Sequence, residues 1–127
     1  MTVTRHEPLR VLVVEDELLI RWSIVETLTK AGCAVTEAGD AASALQAAAA
    51  EDFDAVVLDY RLPDSNDLGL LEALRGQLPE SRVVMMSAYG TPDIIQRAQA
   101  LGVQRFLDKP FEMESLKNLV TDQATVN

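Results

Sequence analysis

Four short apolar runs in this chain are each followed by residues that can do chemistry. Val11–Val14 leads into Glu15, Asp16 and Glu17. Val56–Leu58 leads into Asp59, Val83–Met86 into Ser87, and Arg105–Leu107 is followed at one remove by Lys109 and Pro110. Clustered carboxylates repel and raise one another's pKa unless a cation lies among them. Oxygen ligands without His or Cys favour a hard divalent ion, and few ligands with space for water favour Mg²⁺. Glu15, Asp16 and Asp59 meet that description, so Mg²⁺ is the expected cofactor, with Mn²⁺ as a substitute. A metal beside Asp59 would neutralise an incoming phosphoryl group and let the carboxylate act as a nucleophile. Lys109 would supply a point charge to a phosphoryl oxygen, and Ser87 a hydrogen bond.

Each residue alone has a plainer use. Asp16 or Glu17 could cap a helix, Asp59 could begin a turn with Pro63, and Lys109 could be a solvated charge. The conjunction favours chemistry, because every one of them follows a run that should be buried.

The elements that would position them can be read from periodicity. The three strongest runs read as strands buried on both faces. Ala34–Val35 and Arg105–Leu107 are weaker strands in the same alternation. Between them, Leu18, Trp22, Val25 and Leu28 mark a helical face with Gly32 as a stop. Asp40 can cap an alanine-rich helix through Ala50. Leu68, Leu71 and Leu74 precede Gly76. Thr91-Pro92-Asp93 supplies a cap, a proline at the first helical position and an acid in the first turn. That helix should run to Leu101 and stop at Gly102, and Pro110 opens a last helix through Val120. Five β-α units with right-handed crossovers give a doubly wound α/β fold, a five-stranded parallel sheet with helices on both faces. Such sheets bind ligands beyond the carboxyl ends of the strands.

Length and composition set the outer limits. The chain has 127 residues, with 11 Lys plus Arg against 20 Asp plus Glu and a net charge of −9. That charge argues against nucleic acid or anionic lipid as a direct partner. Hydrophobic residues make up 48%, an ordinary globular value. The lone Cys33 suits a reducing compartment, and residues 1–10 lack the apolar core of a secretory signal. A cytoplasmic single domain is expected: an arm over 1–9, the domain over 10–121 and a tail or linker over 122–127. His6 falls in the arm, away from any site. Cys33, Met85 and Met86 read as core, and Trp22 as packed on its helix face.

Val13-Val14-Glu15-Asp16, Leu58-Asp59-Tyr60-Arg61-Leu62-Pro63, Met85-Met86-Ser87-Ala88 and Phe106-Leu107-Asp108-Lys109-Pro110-Phe111 together resemble the receiver domain of bacterial two-component response regulators. The resemblance covers Arg10 to Val120. It implies a flavodoxin-like sheet of order 2-1-3-4-5 with five helices. Asp59 would accept a phosphoryl group from a phosphohistidine on a sensor histidine kinase or phosphotransfer protein. Glu15 and Asp16 would help hold Mg²⁺, with the backbone carbonyl of Arg61 as a further ligand. Lys109 would contact the phosphoryl group. Ser87 and Phe106 would switch towards the site and alter the surface of the fourth helix, fifth strand and fifth helix, where such domains often dimerise on phosphorylation. The Lys109–Pro110 bond would be cis. Departures from the family are Glu15 for the commoner aspartate, Phe106 for tyrosine, and Asp67 beside Asn66 where glycine is usual. Ile20-Arg21-Trp22 and Tyr89-Gly90-Thr91-Pro92 further resemble receivers of nitrogen-regulation-type transcriptional activators.

Arg61 and Tyr89 flank the approach to Asp59, and neither is suited to positioning water, so a long-lived phosphoryl group is expected. Competing readings are weaker. An aspartyl phosphohydrolase of the haloacid-dehalogenase type needs a general acid two residues after the nucleophile, and Arg61 cannot serve. A flavodoxin-like cofactor site needs a phosphate-binding loop where Glu15-Asp16-Glu17 would repel phosphate. An interaction module that is never phosphorylated leaves the acid set without a purpose.

Overall fold

Val11–Val14, Ala55–Asp59 and Val83–Ser87 are buried along their whole length, as central strands covered on both faces must be. The computed structural model describes residues 8–65, 67–88 and 90–121. Within them strands and helices alternate: β1 (Arg10–Val14), α1 (Leu18–Lys30), β2 (Ala34–Ala38), α2 (Ala41–Ala50), β3 (Ala55–Asp59), α3 (Gly69–Gln77), β4 (Arg82–Ser87), α4 (Pro92–Ala100), β5 (Val103–Asp108) and α5 (Met113–Thr121). All four strand pairings are parallel, in the order β2-β1-β3-β4-β5. The doubly wound sheet read from the sequence is therefore present, and its order reverses between β1 and β3.

Alternation within the strands sorts the core into two layers. Leu12, Val14, Val56, Leu58, Val83 and Met85 join Ala44, Leu71, Leu74 and Ala98 on one face. Val11, Val13, Val57, Val84 and Met86 join Ile24, Leu28, Leu116 and Val120 on the other. Cys33 packs in this second layer and its thiol pKa is raised by burial. Leu9, assigned to the arm, also packs there, and its carbonyl accepts the Ala34 N–H.

Local signals explain most helix ends. Asp40 accepts the Ser43 N–H at 2.8 Å to open α2, and Thr91 Oγ1 accepts the Ile94 N–H at 3.2 Å to open α4. Gly32 and Gly102 take φ of 94° and 97° just past α1 and α4, a left-handed conformation that glycine adopts without steric cost.

Two helix expectations are corrected. The face of α1 is Ile20, Ile24 and Leu28, not one including Leu18 and Trp22. Leu18, Leu19 and Trp22 are 65%, 73% and 59% exposed. Trp22 lies two residues before buried Ile24 and so points across the helix from it. The α3 helix runs through Gly76 to Gln77. Buried Leu78 anchors the next turn and its N–H reaches the Leu74 carbonyl at 2.7 Å. Pro110 does not open α5. Lys109 N–H is still bonded to the Ser87 carbonyl at 2.8 Å, so the chain leaves the sheet too late to coil before Met113.

Candidate functional site

The ends of β1, β3, β4 and β5 open into one cleft of about 330 Å³, lined among others by Glu15, Asp16, Asp59, Arg61, Ser87 and Lys109. These residues lie 94 positions apart at the extremes and meet because parallel strands place all their carboxyl ends on one edge.

Burial and charge then set the chemistry. Glu15, Asp59 and Ser87 are buried, while Asp16 and Arg61 are exposed. Lys109 Nζ donates to Glu15 Oε1 at 2.9 Å and stands 3.2 Å from Asp59 Oδ2. Glu15 Oε2 accepts the Glu17 N–H at 3.1 Å, so this acid caps the entry to α1 from two residues back, while Glu17 at the N-cap position makes no side-chain cap bond. Burial, and then the charge of Glu15, push the Asp59 carboxyl up to about 7. Burial alone would lower Lys109, but the Glu15 hydrogen bond and the two carboxylate charges outweigh it and raise the ammonium pKa. One oxygen each of Glu15, Asp16 and Asp59 lies within 4.8 Å of the others. This all-oxygen set fits a hard divalent cation.

Of the remaining expected residues, some line the cleft and others lie apart from it. Arg61 lines the cleft, and its N–H approaches Asp59 Oδ1 at 3.5 Å. The Lys109–Pro110 peptide is cis. Phe106 is partly buried against the first core layer. A Cβ on Gly90 would fall 2.5 Å from its ring Cε1, so the ring occupies space that only glycine leaves. Asp67 Oδ1 accepts the Gly69 N–H at 2.8 Å. Tyr89, Asn66 and His6 lie outside the described residues.

Two supports were not evident from sequence. Arg21 donates through Nη1 to the Glu15 carbonyl at 2.9 Å and through Nε to Glu37 at 3.0 Å. Asp64 accepts the N–H groups of Ala41 and Ala42 at 2.7 and 3.2 Å. Asp64 lies in the loop after Asp59, and no local signal announces a cap for a helix 23 residues earlier. In the sequence Arg21 is a cation inside an otherwise apolar stretch, Leu18–Trp22, and nothing there names its partners. Beside the cleft, an apolar groove of about 380 Å³ runs along Ile20, Pro110, Phe111 and Met113 and shares Ala88 and Lys109 with it.

Comparison with known proteins gives a consistent picture. The family model for the response regulator receiver domain matches residues 11–121. Response regulator protein FleR of Pseudomonas aeruginosa is 34% identical over 91% of this chain, which spans only 24% of that protein. Sporulation initiation phosphotransferase F of Bacillus subtilis is 30% identical over 87% of this chain and 90% of its own length. A Burkholderia pseudomallei response regulator, solved with a phosphorylated aspartic acid, a calcium ion and citrate, superposes with a TM-score of 0.82 at 28% identity, covering 91% of this chain and 68% of that one.

Proposed function

This chain belongs to the response regulator receiver domain family, and from that premise we propose that it is a phosphoacceptor switch in which Asp59 takes a phosphoryl group from a histidine kinase or phosphotransfer protein. The carrying observation is the pairing of buried Asp59 with Lys109 at 3.2 Å in a cleft where two more carboxylates gather. Glu15, Asp16, Asp59 and the backbone carbonyl of Arg61 would hold Mg²⁺, or Mn²⁺, which supplies charge to offset the carboxylates and the phosphoryl oxygens. Asp59 Oδ attacks phosphorus as the bond to the donor nitrogen breaks. Lys109, held by Glu15, keeps an ammonium beside the oxygens that gain charge. Ser87 offers its hydroxyl from the end of β4.

The exposed Leu18, Leu19 and Trp22, with the groove along Ile20, Phe111 and Met113, give a donor protein an apolar seat beside the acceptor. The known phosphoaspartate and calcium in the Burkholderia relative support the same use of this cleft. Ser87 and Phe106 then carry the change to the α4-β5-α5 surface and favour a homodimer. No helix among the described residues is long and apolar enough to cross a membrane, and the reading places the protein in the cytoplasm without direct nucleic-acid contact. Arg61, at the mouth of the cleft, shields the phosphoryl group from water.

Intact mass after exposure to a small phosphodonor tests this. With Mg²⁺ the chain should gain about 80 Da, the mass of one phosphoryl group on one nucleophile. The gain should vanish with chelator and in Asp59→Asn. An Asp59→Asn protein that still gains it would refute the assignment.

A further inference from the structure

Both acidic loops of the cleft are tied to the same short turn, Ala38–Ala42, which runs from the last residue of β2 through Gly39 and Asp40 into the first two residues of α2 and lines no part of the cleft. On one side, Glu15 N–H donates to the Ala38 carbonyl at 3.0 Å. Arg21 then clamps the Glu15 carbonyl, with its guanidinium laid against Gly39. A Cβ there would sit 3.0 Å from Arg21 Nη1, so the turn leaves room for the clamp. On the other side, the loop after Asp59 sends Asp64 to the Ala41 and Ala42 N–H groups. Those donors and the Ser43 N–H, taken by Asp40, are the open end of α2. The loop itself is drawn tight by the Leu62–Ser65 bridge. Its anchor point therefore determines where Arg61 lies.

We infer that the Ala38–Ala42 turn is a brace that sets the spacing of the two cleft loops, with Arg21 and Asp64 as its positioning residues for the metal ligands. The inference rests on the proposed metal site. Arg21 fixes the peptide between Glu15 and Asp16 on one side, while Asp64 fixes the segment bearing the Arg61 carbonyl on the other. Neither touches the ion. Loss of a residue that orients ligands from one step back typically weakens metal affinity by about 10- to 100-fold.

Calorimetric titration of the whole chain with Mg²⁺ separates the possibilities. Arg21→Met and Asp64→Ala should each weaken binding on the order of 10-fold, at a temperature where circular dichroism shows both folded. Asp64→Asn, which keeps one acceptor oxygen, should lose less. Asp16→Ala is the control. If it binds Mg²⁺ like the parent, the metal site is wrong. If it weakens while Arg21→Met and Asp64→Ala bind like the parent, the brace is wrong. A second readout needs no metal. Asp64→Ala should speed amide exchange at Glu15 N–H, across the turn from the altered residue, as well as at Ala41 and Ala42. Unchanged exchange at Glu15 means that Asp64 acts on its own loop alone and overturns the brace.

Discussion

Asp59 carries a carboxyl that burial, and then Glu15, push from 3.8 to about 7, and this makes folding depend on pH in a defined direction. Between those values the folded chain holds a proton that the unfolded chain has released. Without metal, stability therefore falls as pH rises from about 4 towards 7, by no more than ~4 kcal/mol. Lys109 is raised instead, so its contribution is whole below the ordinary lysine range and is lost only at alkaline pH. Asp59→Asn should flatten the fall, and in chelator it should be more stable than the parent above about pH 7. Urea midpoints across that range check this, and a parent profile with no slope would contradict it. Lys109→Met leaves Glu15 facing Asp59 without a cation, so it should cost about 3 kcal/mol at alkaline pH and less where Asp59 is protonated. The same denaturation series in that variant measures the difference. Asp59 and Lys109 were legible because strand-end acids and bases stand out against apolar runs. Arg21 and Asp64 were not, because the groups they hold in place at the cleft and at α2 are backbone carbonyl and N–H groups, which leave no mark in a sequence.

Among the elements, β4, its following loop and β5 meet where the Phe106 ring fills the space beside Gly90. Gly90→Ala would put a methyl 2.5 Å from ring Cε1, so the ring or the loop must move. The cost should be about 2 kcal/mol, typical of overpacking, and it should nearly disappear in a Phe106→Leu background. Equal costs in both backgrounds would show that the ring does not meet this glycine in solution. The α1 helix shows where element reading fails. Spacings of four, three and three spread over about 120° of the cylinder, whereas Ile20, Ile24 and Leu28 form one i, i+4 ridge spanning about 80°. The sequence offers two apolar stripes on α1, and only the packing of α1 against β1 and α5 decides which is buried. Trp22 is the single tryptophan of the chain and is 59% exposed. Its emission should be red-shifted and readily quenched by iodide. A blue-shifted, protected emission would restore the buried placement.

For the molecule as a whole, the order of runs was enough to read the sheet, because parallel strands buried on both faces leave little freedom of topology. What the order of runs leaves open is how the chain tolerates a net charge of −9 with Glu15, Asp16 and Asp59 held within 4.8 Å. Any salt will relieve the diffuse part of that repulsion by screening, so stabilisation by a divalent salt is not by itself proof of a site. Site binding differs in form. It stabilises as the logarithm of one plus the ratio of ligand to Kd, about 2.7 kcal/mol at a hundredfold excess. For a domain of this size that is a rise in melting temperature on the order of 10 °C. Mg²⁺ added at constant ionic strength should therefore raise the melting temperature of the parent along that logarithmic course. Asp16→Ala removes one ligand and one repelling charge. Its metal-free form should melt no lower than the parent, and its response to Mg²⁺ should shrink to what monovalent salt produces. A full Mg²⁺ response in Asp16→Ala, or an equal response of the parent to monovalent salt, would assign the effect to general screening of an acidic surface and remove the cation from the cleft.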